Sequence, residues 1–69
     1  MAAKMKIAVI LDTPLKEAFC LLGVDYNYPV KEHEYLYDSL GEDISMVILP
    51  EELEKKFRLK YPDKIFVGV

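Results

Sequence analysis

Met5-Lys6-Ile7-Ala8-Val9-Ile10-Leu11 is a nearly unbroken run of branched apolar residues, and Asp12-Thr13-Pro14 stops it at once. A run of this length with no polar alternation suits a strand buried on both faces, which is the habit of parallel sheets. The stop is also a start. Thr13 is a good N-cap and Pro14 fits the first helical position. Leu15, Ala18, Phe19 and Leu22 then recur at i, i+3, i+4 and i+7, the stripe of an amphipathic helix. Gly23 closes that helix as a C′ residue.

The same alternation continues to the end. Val24-Asp25-Tyr26-Asn27-Tyr28 alternates apolar and polar, so it reads as a strand with one wet face or one at a sheet edge, and Pro29 ends it. His33, Leu36, Tyr37 and Leu40 form a second helical stripe, with Gly41 as its expected C′ residue. Ile44-Ser45-Met46-Val47-Ile48-Leu49 is a second continuous strand, and Pro50 starts a third helix. Leu53, Phe57 and Tyr61 are its buried stripe. Pro62-Asp63 makes a turn, and Ile65-Phe66-Val67-Gly68-Val69 is a final strand.

The order is βαβαβαβ over one domain, residues 1–69. Strands alternating with helices imply a parallel sheet with right-handed crossovers. The two most apolar strands, first and third, belong in the centre, and the alternating second belongs at an edge. The expected fold is a small three-layer α/β domain with a four-stranded parallel sheet in the order 2-1-3-4, a shortened flavodoxin-like or Rossmann-like sheet. In that order the first helix covers one face and the second and third cover the other. The first face of strands three and four is left without a cover, because the chain stops at Val69 where larger domains of this architecture add a helix.

Length sharpens that expectation. A core of 69 residues rarely supplies more than about 3–5 kcal/mol. One cysteine, Cys20, makes no internal disulfide, and one histidine with one cysteine makes no structural zinc site. The apolar run Ile7–Leu11 is too short to cross a bilayer, and Met1-Ala2-Ala3-Lys4 lacks the apolar region of a signal peptide. A cytoplasmic protein with no direct membrane insertion is expected. Its stability then comes from very regular packing or from a partner.

Net charge is −3, unevenly spread. Residues 12–54 hold eleven acids against Lys16 and Lys31, while Lys55, Lys56, Arg58, Lys60 and Lys64 cluster after them. An acidic body argues against nucleic-acid binding. The basic cluster reads as the solvated face of the third helix, where Glu51–Lys55, Glu52–Lys56 and Glu54–Arg58 stand at i, i+4 and the acid-to-base order suits the helix dipole.

Catalytic patterns are weak. Asp12-Thr13 sits at the end of the first strand beside the switch point where open α/β sheets bind ligands, but no glycine-rich loop accompanies it and Asp12 repels phosphate. Helix capping is its expected role. A phospho-acceptor site needs an aspartate ending the third strand, where Ile48-Leu49-Pro50 stand instead. His33 and Glu34 are helix neighbours and do not face each other. Ser39 and Ser45 lack an activating base, and Cys20, beside the Phe19–Leu22 stripe, reads as a buried, inert thiol. No catalytic residue, cofactor or metal site is expected. The five tyrosines, with Tyr26 and Tyr28 on one strand face and Tyr35 and Tyr37 close behind, suggest a partner surface, because tyrosine is at once apolar and polar. The candidate partner-binding residues are Tyr26, Tyr28, Ile65, Phe66, Val67 and Val69.

Three segments carry a resemblance: Met5-Lys6-Ile7-Ala8-Val9-Ile10 with Asp12 and Ala18-Phe19-Cys20-Leu21-Leu22-Gly23-Val24; Asp43 to Leu49 followed by Glu51-Glu52-Leu53; and Tyr61-Pro62 before Ile65-Phe66-Val67. In order and spacing they resemble the F subunits of the V-type (archaeal and vacuolar) ATP synthases, over about Met5 to Val67. The resemblance implies a non-catalytic central-stalk-type component of a rotary ATPase that couples ATP to proton or sodium transport. It further implies a coiled-coil stalk subunit as partner and a place peripheral to the membrane. Three departures stand out. Leu11 replaces the family's glycine after the first strand, the family's C-terminal tail is absent, and the stretch from Tyr26 to Gly41 finds no counterpart. A stand-alone domain that covers its open face with a second copy of itself is the alternative expectation, and a small enzyme or ligand sensor using the Asp12 loop is a third.

Overall fold

Four parallel strands carry the domain: β1 (Lys6–Ile10), β2 (Tyr26–Tyr28), β3 (Ile44–Leu49) and β4 (Ile65–Gly68), in the order β2-β1-β3-β4. The structure is a computed structural model that describes residues 5–12 and 14–69. Between the strands run α1 (Leu15–Cys20), a 3-10 turn (Val30–Glu32) leading into α2 (His33–Asp38), and α3 (Glu51–Lys60). This is the expected α/β architecture with the expected strand order.

Pairing registers sort the side chains into two faces. Tyr26, Ala8, Val47 and Phe66 lie in one row across the sheet, and Tyr28, Ile10, Leu49 and Gly68 in the next. Together with Leu36 and Leu40 from α2 and its exit, Ile44, and Phe57 from α3, the apolar members of these rows build the main core. Phe57 is fully buried and sits edge-on to Tyr37 (ring centroids 5.4 Å apart) and tilted against Phe66 (6.0 Å). Leu53 and Tyr61 pack half-buried beside it, as the stripe of the third helix requires. Side chains alternate across a strand, so the intervening residues face the other way. Ile7, Met46 and Ile65 form one row there, and Asn27, Val9, Ile48 and Val67 the next. One extra residue of β3, Ser45, is accommodated where the β1–β3 register shifts between Lys6 and Ile7.

Right-handed crossovers decide which helix covers which face. The chain steps one way from β1 to β2 and the other way from β2 to β3 to β4, so α1 lies on the face opposite α2 and α3. Under α1, Val9 and Leu11 are buried outside the main core.

Polar contacts fasten the ends of the elements. Asp25 accepts a hydrogen bond from the Ile7 amide at 2.9 Å, and Asp12 accepts one from the Val30 amide at 3.1 Å. The Tyr61 hydroxyl donates to the Tyr37 carbonyl at 2.7 Å and accepts from the Leu40 amide at 3.4 Å, which closes the C-terminal end of α2. Lys64 donates to the carbonyls of Gly41 and Ile44 and ties the start of β4 to the start of β3.

Several local expectations change. The Thr13 N-cap lies outside the described residues. Gly23 has φ +88°, the left-handed backbone expected of a C′ residue. Gly41 does not: α2 ends at Asp38, and the chain leaves it through Ser39 in an extended bend. Pro50 is the N-cap of α3 and not its first turn, because its ψ of 140° is still extended. Of the three i, i+4 pairs on α3, Glu54–Arg58 forms an ion pair. Lys56 and Lys60 instead sit over the Tyr37 ring, 4.6 and 4.4 Å from its centroid, where the π-face attracts them.

The largest correction concerns α1. Helical spacing predicts that its Leu15–Ala18–Phe19–Leu22 stripe faces the sheet. Leu15 is 51% exposed and Leu22 78% exposed, and Ala18 and Leu21 are also open to solvent. Phe19, Cys20 and Lys16 make the half-buried side of the helix. A six-residue helix takes its rotation from the loops at its two ends, so its hydrophobic pattern alone does not set which side turns inward.

Candidate binding face

The face that carries α1 is the most unusual surface of the molecule. α1 spans only six residues and covers the β1 side of the sheet. Over β3 and β4 the row residues stay open: Ile65 is 53% exposed, Val67 40% and Val69 44%, with Met46 and Ile48 half-buried beside them. None of the five carries charge. Neighbouring strands lie about 4.8 Å apart, so the open strip over two strands is about 10 Å wide, the diameter of one helix. Leu15 of α1 and Leu21 and Leu22, which follow it, are exposed as well. Monomeric proteins rarely leave large contiguous apolar patches in water, and such patches mark interaction sites.

The six candidate partner-binding residues therefore divide. Ile65, Val67 and Val69 belong to this open face. Tyr26, Tyr28 and Phe66 lie on the opposite one. Phe66 is buried against Phe57, and Tyr26 and Tyr28 stack on each other (centroids 6.4 Å apart, 24° between planes) and pack half-buried against the core. Period-two alternation along β4 makes it impossible for Phe66 to share a surface with its neighbours Ile65 and Val67. Leu15 and Leu22, which the helical spacing assigns to the core, join the open face instead. No sequence signal separates an outward apolar stripe from an inward one.

The carboxyl ends of the strands, where α/β sheets bind ligands, hold little convergent chemistry. Asp12 is engaged with the Val30 amide, and Pro50, Glu51, Glu52 and Val69 line a shallow depression at the ends of β3 and β4. His33 is half-buried with its Nδ1 2.9 Å from the Val30 carbonyl, a contact within its own turn. Ser39 is exposed, Ser45 is half-buried, and Cys20 is a free thiol on the inner side of α1. Among the described residues no three His, Cys, Asp or Glu side chains converge as metal ligands, and no helix is long and apolar enough to cross a membrane.

One titratable group is displaced. The Tyr26 hydroxyl donates to the Asp43 carboxylate at 2.7 Å, and this bond, with the loss of water around the ring and the nearby negative charge, holds the phenol above its usual pKa. Lys6 lies over the same ring, 5.8 Å from its centroid. The cluster joins β2 to the loop before β3 and acts as a structural tie.

Comparison with protein-family models, with curated proteins and with solved structures returned no match.

Proposed function

We propose that this chain is a non-catalytic binding domain that works by protein–protein contact through the α1-side face of its sheet. The observation that carries this is the uncharged, solvent-open trough over β3 and β4, lined by Ile65, Val67 and Val69. Apolar contact is the chemistry such a surface offers, whereas the strand ends offer little for catalysis.

For its biological setting we propose a central-stalk-type component of a V-type or A-type rotary ATPase, cytoplasmic and peripheral to the membrane, with a coiled-coil stalk subunit as partner. Support comes from the three segments that resemble the ATP synthase family and from a strand order compatible with them. A helical partner also suits a trough one helix wide. The experiment is affinity capture of the tagged chain from its native host, with identification of the bound chains. Recovery of rotary-ATPase stalk subunits with the wild type, and their loss with Val67→Asp, is the expected result. Eluates free of ATPase chains refute the assignment.

A further inference from the structure

Two apolar surfaces lie side by side on the α1 face, and each is unsatisfied in a different way. One is a ridge: Leu15 and Ala18 of α1, and Leu21 and Leu22 in the turn that follows it, are open to solvent, away from the half-buried Lys16, Phe19 and Cys20. The other is a trough: Met46, Ile48, Ile65 and Val67 line the open strip over β3 and β4. The trough is about 10 Å wide, one helix diameter, and the strip of four to six residues is about 13–20 Å long. α1 rises about 8 Å from Leu15 to Cys20, so the helix fits within the strip.

We propose that a second copy of this chain covers the face, with the two copies related by a two-fold axis that runs between ridge and trough. The inference rests on the assignment of this face as the interaction surface and not on the rotary-ATPase setting: a second copy and a stalk helix need the same strip, so the dimer takes the place of a stalk contact there. An isologous interface must be self-complementary, because the same patch meets itself. A patch that is half raised helix and half bare sheet meets that condition: the two-fold places each α1 over the partner's β3 and β4. Each α1 then lies between its own β1 and the partner's open strip, and the four-strand width of each sheet accommodates two helices side by side.

Charge and area agree with this occupant. Neither the ridge residues nor the trough residues are charged, so association buries no unpaired ion, while Lys16 and Glu17 lie off the apolar stripe. The exposed surface of Ile65, Val67, Val69, Leu15, Leu21 and Leu22 amounts to roughly 600 Å² per copy, at the lower end of the ~600–1,000 Å² per partner of a standard interface. A single occupant thus accounts for both anomalies: the outward stripe of α1 and the open strip of the sheet.

The test is sedimentation of the full chain from about 1 to 200 μM, with two charge-bearing variants, Leu22→Lys on the ridge and Val67→Asp in the trough. The expected result is a wild-type dimer of twice 8.0 kDa. Each variant alone should weaken the dimer by roughly a hundredfold, since an isolated charge meets an apolar surface. Mixing the two variants should restore dimers, because the ridge lysine of one meets the trough aspartate of the other. Circular dichroism confirms that each variant folds, and Leu21→Lys and Ile65→Asp replace either one that does not. A wild-type monomer at every concentration overturns the proposal, as do open-ended polymers or a dimer indifferent to both substitutions. If the wild type is monomeric and Val67→Asp still abolishes capture of a stalk partner, self-association falls and the face assignment stands.

Discussion

Adjacent residues of β4 provide the sharpest test of the sheet. Phe66 points into the main core at 5% exposure and touches the Phe57 ring, while Val67 points into the open trough. A Phe66→Ala substitution removes a buried aromatic ring, which costs about 3–5 kcal/mol in transfer and cavity terms. That is about the whole stability expected of a core this size. The variant should therefore be largely unfolded at 25 °C, with most of its helical signal lost by circular dichroism. Val67→Thr changes a half-open side chain of nearly equal shape, and its expected cost is within about 0.5 kcal/mol. Urea titrations at about 1 μM, where association contributes least, should give a Val67→Thr midpoint near that of the wild type. Because a one-residue slip in register exchanges the two faces, a Val67→Thr cost equal to that of Phe66→Ala would refute the assigned register.

Three further outcomes follow from local geometry. In absorbance titrations Tyr26 should ionise at higher pH than an ordinary tyrosine, and Asp43→Asn should move it down towards the usual value. The sign is fixed by linkage: a phenol raised in the folded state stabilises below its unfolded pKa of about 10, and that contribution disappears as pH rises through the folded value. Tyr61→Phe removes the hydroxyl that donates to the Tyr37 carbonyl and should cost about 0.5–1.5 kcal/mol by denaturant titration, with the loss of protection concentrated at the C-terminal turn of α2 in hydrogen exchange. Gly23→Ala should cost about 1–2 kcal/mol through its φ of +88° alone, because nothing lies within 4 Å of the added methyl group. Unchanged stability there would mean that the backbone relaxes out of the left-handed region.

Much of the architecture is legible along the chain. The continuous apolar runs mark the two central strands, the alternation of Tyr26-Asn27-Tyr28 marks an edge, and handedness places the helices on their faces. Each of these follows from short-range periodicity and from a chirality rule that admits few topologies. The i, i+4 pairs on α3 are legible too, yet Lys56 and Lys60 sit over the ring of Tyr37, which comes from another helix and leaves no trace at helical spacing.

The amino-acid sequence by itself determined which segments become strands and helices and their order in the sheet. These follow from local pattern and connectivity. Only the tertiary structure decided which side of each apolar stripe is used. It turned Leu15 outward on a helix too short to fix its own rotation, with Leu22 after it, sent Phe66 and not Ile65 or Val67 into the core, and drew Tyr26 and Tyr28 into the core side of the sheet. A hydrophobic stripe records that a surface avoids water, but not whose surface it meets, because the hydrophobic effect is non-directional. The direction comes from long-range packing.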